Sequence, residues 1–185
     1  MSEPARPRRV VLFGGSACDE GDPAFDAAEN LGRLLAGRGW TVVTGGYGGT
    51  MLAASRGAAR QGGHTIGVIC SIFNSAPNPY LSEVIETSSM LERLGTLIEL
   101  GDAYLALPGS TGTLAELALV WELVNKRLIP PRPIVCWGDF WRPVVDLLAR
   151  ESTRDPHVPA LGIVQRRGEW ITFVSDYEAA LAALA

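Results

Sequence analysis

Short apolar runs alternate along this chain with stretches in which apolar residues recur every three or four positions. The runs at 9–13, 40–44, 64–70, 102–107 and 134–137 are nearly continuous, and each ends at Gly, Ser or Pro. Continuous apolar runs bounded by turn residues read as strands buried on both faces. Weaker strand signals lie at 81–87 and 170–174. Between them, 23–38 places Phe25, Ala28, Leu31, Leu34 and Leu35 on one helical face, with Gly37 or Gly39 as the stop. Further helices are expected at 49–60, closed by Gly62-Gly63; at 89–100, with Met90, Leu94, Leu97 and Ile98 inward; at 113–126; at 140–150; and at 176–185, opened by Asp176 as N-cap. Residues 1–8 read as a loose tail, 71–80 as an irregular loop on the active side, and 151–159 as a polar loop. Strand–helix alternation of this kind predicts one α/β domain over 1–185, a doubly wound, mainly parallel sheet with helices on both faces.

Composition sharpens this picture at two points. The chain has 185 residues with 21 glycines, a clear excess, and Lys126 is its only lysine. The net charge of −4 speaks against nucleic acid or an anionic membrane as partner. No apolar stretch reaches the ~18 residues of a membrane span, and Arg6, Arg8 and Arg9 precede too short an apolar run for a signal peptide. Cys18, Cys70 and Cys136 are odd in number and unpaired in spacing, which fits neither a disulfide framework nor a zinc site. A cytoplasmic protein is the expectation.

The glycines gather at strand ends. Gly14-Gly15-Ser16 follows the first strand, Gly45-Gly46-Tyr47-Gly48-Gly49-Thr50 the second, and Pro108-Gly109-Ser110-Thr111-Gly112-Thr113 the strand at 102–107. Open α/β sheets bind ligands at this edge. Glycine lets backbone approach a ligand, and the unpaired N–H groups of a helix N-terminus favour an anion. Tight strand-to-helix turns need glycine for their own geometry, so one cluster alone proves little. Three on one edge, with hydroxyl side chains among them, point to a small phosphorylated ligand, most simply a nucleotide. The clusters do not spell GxGxxG, and with Lys126 as the sole lysine there is no P-loop.

Two charged residues stand near these turns. Glu116 sits early in the helix expected at 113–126. Thr113-Leu114-Ala115-Glu116 fits a capping box, and a carboxylate beside a phosphate site also suits acid–base work. Arg93, at 89–100, reads either as a solvated helical arginine paired with a neighbouring glutamate or as a guanidinium that clamps a phosphate or orients a carboxylate. His64 and His157 lie too far apart for a metal site. Cys18 follows the first glycine turn and is expected near the pocket, while Cys70 and Cys136 read as core. Tyr47 is the aromatic best placed against a ligand; Asn74, Asn78 and Tyr80 are candidates for reading a base. Trp121, Trp137, Trp141 and Trp170 default to core, and Arg166-Arg167 to a solvated pair.

Met90-Leu91-Glu92-Arg93 and Pro108-Gly109-Ser110-Thr111-Gly112-Thr113-Leu114-Ala115-Glu116 resemble the MxxRK and PGGxGTxxE motifs of the LOG family, whose members were long labelled lysine decarboxylases. Gly45 to Met51 is similar to that family's GGGxxGLMG, and Phe13-Gly14-Gly15-Ser16 to its FCGSS. The resemblance covers roughly 9–150. It implies a Rossmann-like domain, a homodimer or higher oligomer, and hydrolysis of the N-glycosidic bond of nucleoside 5′-monophosphates without metal or cofactor. On this resemblance Arg93 and Glu116 are the catalytic pair, and Gly109, Gly112 and Thr113 belong to the phosphate loop. The pattern departs from the family at Leu94, Ser110 and Ala115. A branch of the same superfamily that includes molybdenum-cofactor carriers is similar in this respect. It implies the alternative of a non-catalytic carrier of a phosphorylated pterin, or a nucleotide sensor. The decarboxylase label implies a Schiff-base lysine. Lys126 lies at the far end of its helix from the phosphate loop, about twenty Å away at 1.5 Å rise per residue.

Overall fold

In the computed structural model, which describes residues 6–152 and 170–185, seven strands form one parallel sheet. They are β1 (Arg9–Phe13), β2 (Thr41–Thr44), β3 (Thr65–Cys70), β4 (Glu83–Thr87), β5 (Ala103–Ala106), β6 (Ile134–Trp137) and β7 (Ile171–Val174). The helices are α1 (Pro23–Gly37), α2 (Thr50–Arg60), α3 (Met90–Leu100), α4 (Thr111–Asn125), α5 (Arg142–Ser152) and α6 (Tyr177–Leu184). The spatial order is β4-β3-β2-β1-β5-β6-β7. The chain therefore runs outward from β1 to β4, returns to the middle, and runs outward again from β5. The reversal between β1 and β5 is the switch point at which such sheets open a crevice.

Side-chain alternation along each strand feeds two cores. Val10 and Leu12 pack with α1, α2 and α6 on one face. Val11 and Phe13 pack with α3, α4 and α5 on the other. This is the doubly wound Rossmann-like arrangement expected from the pattern. The two edge strands depart from the buried-strand rule: β7 pairs only with β6 and exposes Thr172, and β4 pairs only with β3 and exposes Glu83, Val84 and Glu86. Charge on an edge strand discourages pairing with another chain.

Helices α1 and α2 lie unusually close. A Cβ on Gly32 would strike the carbonyl of Ala54, and one on Gly57 the carbonyl of Glu29. Both glycines cost helix propensity and permit this backbone approach. Arg56 closes the same seam. Its guanidinium donates to Glu29 at 2.8 and 2.6 Å and to Glu20 at 3.2 Å, over the ring of Phe25. Helix α1 ends in a Schellman motif, with Gly39 donating to Ala36 and Trp40 to Leu35. Helix α4 ends in the same way, but its left-handed position is Arg127, at φ 55°.

Two helix boundaries shift from those expected. Helix α4 starts at Thr111 rather than 113, with Ser110 as N-cap. The helix expected at 140–150 runs instead from Arg142 to Ser152, into the segment expected as loop. His157 and Arg166-Arg167 lie outside the described residues, as does most of 151–159.

Candidate functional site

The carboxyl ends of β1, β2 and β5 converge on a cavity of about 430 Å³. Gly14, Gly15 and Ser16 line it from the first glycine turn, Tyr47 and Gly48 from the second, and Ser110, Gly112 and Thr113 from the third. Arg93 and Glu116 form its floor with Met51 and Met90, and Phe73, Ser75 and Ala76 of the loop after β3 complete the wall.

The remaining predicted site residues build the turns rather than the surface. The carbonyl of Pro108 accepts from Gly15 N–H at 3.1 Å. Thr50 donates to the carbonyl of Gly15 twice, from its N–H at 3.0 Å and its hydroxyl at 3.1 Å. The first glycine turn is thus tied to both neighbours. A Cβ on Gly49, at φ 62°, would run into Gly15 and Ser16, and one on Gly109 into Thr113. Gly46 gives its carbonyl to the Asn78 N–H at 2.8 Å. Gly45 gives its carbonyl to Arg93, and Thr111 is the exposed first residue of α4.

Arg93 owes its position to an uneven sheet edge. β2 pairs with β3 only as far as Thr44 opposite Gly67, whereas β3 continues to Cys70. Past that point the β2-facing backbone groups of β3 have no strand partner, and buried backbone polar groups need one. The Arg93 guanidinium enters the gap. Its Nε donates to the Val68 carbonyl at 2.8 Å and its Nη2 to the Gly45 carbonyl at 3.1 Å, leaving Nη1 to reach Glu116 Oε1 at 3.4 Å. A Cβ on Gly45 would occupy the place of Nη2. Arg93 is therefore a buried, fully oriented side chain, not a solvated one. Its neighbour Glu92 takes the surface role, accepting from Ser88 while Ser89 caps α3.

Glu116 is placed by the start of α4. Because that helix opens at Thr111, Thr113 lies inside it and Glu116 falls in the second turn, facing inward. The capping-box reading is therefore corrected: Ser110, not Thr113, holds the N-cap position, without a side-chain cap bond, and Glu116 meets Arg93 instead. Burial pushes the Glu116 carboxyl up to about 7 against the opposing pull of Arg93. Beside it the first intrahelical bond of α4 runs from Leu114 N–H to the Ser110 carbonyl at 3.0 Å. The N–H groups of 111–113 precede that bond, so no carbonyl of the helix takes them. A carboxyl poised near neutrality, a fixed cation and a helix N-terminus share one cavity.

Asn78 does not read the cavity. Its N–H and amide hold Gly46 and Tyr47, and its Oδ1 accepts from Tyr80 N–H at 3.1 Å. Phe73, five residues earlier in the same loop, is the residue that lines the wall; its apolar character in a polar loop was the available signal. Cys18 packs at the edge of the core outside the cavity wall, and burial raises its thiol. Cys70 and Cys136 are buried as expected. No tryptophan lines the cavity: Trp121 and Trp141 are buried, and Trp137 stacks on Tyr177. Exposed His64 faces Glu83 at 3.7 Å. Among the described residues no group of three or more His, Cys, Asp or Glu gathers as metal ligands, and no helix is long and apolar enough to cross a membrane.

A parallel sheet with helices on both faces and a glycine-lined cavity at its switch point defines a Rossmann-like α/β protein. Residues 8–130 match the SLOG cluster4 family, and the chain belongs to that family as a divergent LOG-like member. It is 38% identical over 124 residues to the cytokinin riboside 5′-monophosphate phosphoribohydrolase of Mycobacterium tuberculosis, a match covering 63% of this chain and 65% of that one. It is 29% identical over 186 aligned positions to the protein of the same name from Rhodococcoides fascians, covering 96% and 89%. Among solved structures, the molybdenum cofactor carrier protein of Chlamydomonas reinhardtii shares the fold with a TM-score of 0.74 at 22% identity, covering 96% of each chain. The molybdenum cofactor binding protein of Rippkaea orientalis does so at 0.70 and 24%, covering 97% and 96%.

Proposed function

We propose that this protein hydrolyses the N-glycosidic bond of a nucleoside 5′-monophosphate, releasing the base and ribose 5-phosphate. The observation that carries the reading is the buried contact of Arg93 and Glu116, 3.4 Å apart beside the N-terminus of α4. The names of its M. tuberculosis and R. fascians relatives support it. The phosphate binds at the N–H groups of 111–113 with the hydroxyls of Ser110 and Thr113. Breaking the bond from C1′ to the base builds positive charge on the sugar. The Glu116 carboxylate stabilises that charge and accepts a proton from the attacking water, while the leaving base takes up a proton. Arg93 holds the carboxylate in place and favours its ionised form. No cofactor enters this scheme.

The test is direct. The purified protein is incubated with AMP and with an N6-substituted AMP, and free base is followed by chromatography. Release well above that of a Glu116→Gln variant is expected. Equal release from the two proteins overturns the reading.

A second reading, binding without chemistry, is favoured by Leu94. This buried apolar residue follows Arg93 where the motif carries a lysine. In this reading the cavity carries a phosphorylated pterin such as molybdenum cofactor, or senses a nucleotide. Tight binding of such a ligand with no turnover of AMP is its signature. We further propose self-association through α4, whose exposed residues include Ala115 and Ala118. Light scattering is expected to give at least twice the monomer mass.

A further inference from the structure

The gap beside β3 has a second occupant. The Tyr47 hydroxyl accepts from the Cys70 N–H at 2.8 Å and donates to the Cys70 carbonyl at 3.1 Å. One side-chain oxygen thus supplies both hydrogen bonds that a longer β2 would have made to the last residue of β3. The same Cys70 carbonyl accepts from the Phe73 N–H at 3.1 Å. The Tyr47 ring then has two neighbours. The Arg93 Cζ lies 5.8 Å from its centroid, and the Phe73 ring packs against it in a T-shaped contact with centroids 5.8 Å apart.

Residues 71–77 leave the sheet at this clamp and are exposed throughout, with Ile72 62% and Phe73 39% accessible. Ser71 N–H ties the start of the segment to the Thr87 carbonyl of β4 at 2.9 Å, and the far end is held at Asn78, which bonds to Gly46 and to the Tyr47 carbonyl. Through Cys70 and Asn78, both ends of the exposed segment are also tied to the turn that carries Tyr47. Ser71 is held to β4, but the exposed Phe73 beyond it is placed by its N–H bond to the Cys70 carbonyl and by its ring contact with Tyr47.

We propose that Tyr47 is a positioning residue. Its hydroxyl fixes Cys70, whose carbonyl receives the Phe73 N–H, and so holds the Phe73 ring at the cavity mouth, where the non-phosphate end of the ligand rests. The assignment of the ligand rests on the proposed function; the clamp itself does not. A planar base sits well in a corner of two aromatic rings, because both faces are apolar and rigid. A ligand with no ring, such as ribose 5-phosphate, gains nothing from that corner.

Two measurements on the full chain test this. Tyr47→Phe keeps the ring and deletes the clamp. Amide hydrogen exchange of Cys70 and Phe73 is expected to rise about tenfold or more relative to Val11 in β1. Tyr104→Phe removes another buried hydroxyl bond, to the Ile98 carbonyl at 2.6 Å, and serves as the control for general destabilisation. If Cys70 and Phe73 exchange no faster in Tyr47→Phe than in Tyr104→Phe, the proposal is overturned. In AMP hydrolysis, KM is expected to rise about tenfold in Tyr47→Phe and in Phe73→Ala, with kcat within about twofold of the parent. A fall in kcat at unchanged KM also overturns it. If the parent protein does not hydrolyse AMP, the proposed function fails, and the exchange result alone decides the role of Tyr47.

Discussion

Arg93 and Glu116 face each other across 3.4 Å, with the guanidinium held in place by the backbone of two different strand ends and the carboxyl pushed up to about 7 by burial. The cation is oriented before any ligand arrives, and the acid is balanced between its two protonation states at neutral pH. Such a carboxyl makes activity and stability depend on pH in opposite directions.

For stability, the folded-state value of Glu116 lies above its ordinary 4.5, so the native protein binds the extra proton between about 4.5 and 7. The resulting stabilisation is complete below 4.5 and is lost as pH rises through 7, about 3 kcal/mol in all. Glu116→Gln is expected to remove this part of the slope in a plot of melting temperature against pH. For activity, hydrolysis that needs the carboxylate rises with pH and levels off above about 7. A rate that instead falls across that range contradicts the assigned role.

Gly45→Ala tests the packing of the cation. The added methyl meets the Arg93 Nη2 and the Met51 sulfur, with no unusual backbone angle at Gly45 to complicate the result. Displacing the guanidinium is expected to lower turnover by about 100-fold and stability by about 1–3 kcal/mol. Gly48→Ala, with its nearest neighbour at 3.8 Å, is the control expected to fold normally. Urea denaturation and base release measured on both variants separate the two effects.

Arg56→Ala is expected to lower stability by about 2–3 kcal/mol, because Glu29 loses its bidentate partner and Phe25 its cover. Arg56→Lys recovers little, since an ammonium cannot reproduce the planar fork. Turnover per folded molecule stays unchanged at low temperature, as Arg56 lies outside the cavity wall. Chemical denaturation together with active-site titration checks both statements.

Arg127→Gly is expected to raise stability by about 0.5–1 kcal/mol, measured as a higher urea midpoint at constant slope. The residue occupies the left-handed position that ends α4, at φ 55°, where a Cβ is strained and glycine is not.

Much of the fold was legible because it rests on local rules. The continuous run Val10-Val11-Leu12-Phe13 announces a strand buried on both faces, and Gly37 and Gly39 announce the end of α1. The cavity wall was legible in part, since Ser16, Gly48 and Thr113 stand at strand ends where glycine and hydroxyl residues gather. An amide in a loop suggests recognition, which favours Asn78 over Phe73 in the sequence; only the folded chain reveals that the Asn78 bonds are spent on Gly46, Tyr47 and Tyr80.

By itself the sequence determined the order of strands and helices and the edge on which the glycines lie, because periodicity and turn chemistry act over a few residues. The LOG-like motifs also marked Arg93 and Glu116. Their meeting was decided only in three dimensions. It depends on β2 stopping short of β3, on Ser110 rather than Thr113 opening α4, and on the absence of a side chain at Gly45. Burial, the quantity that makes Arg93 a fixed cation and lifts Glu116 toward neutrality, is a property of what surrounds a residue, and segments far apart in the chain supply it.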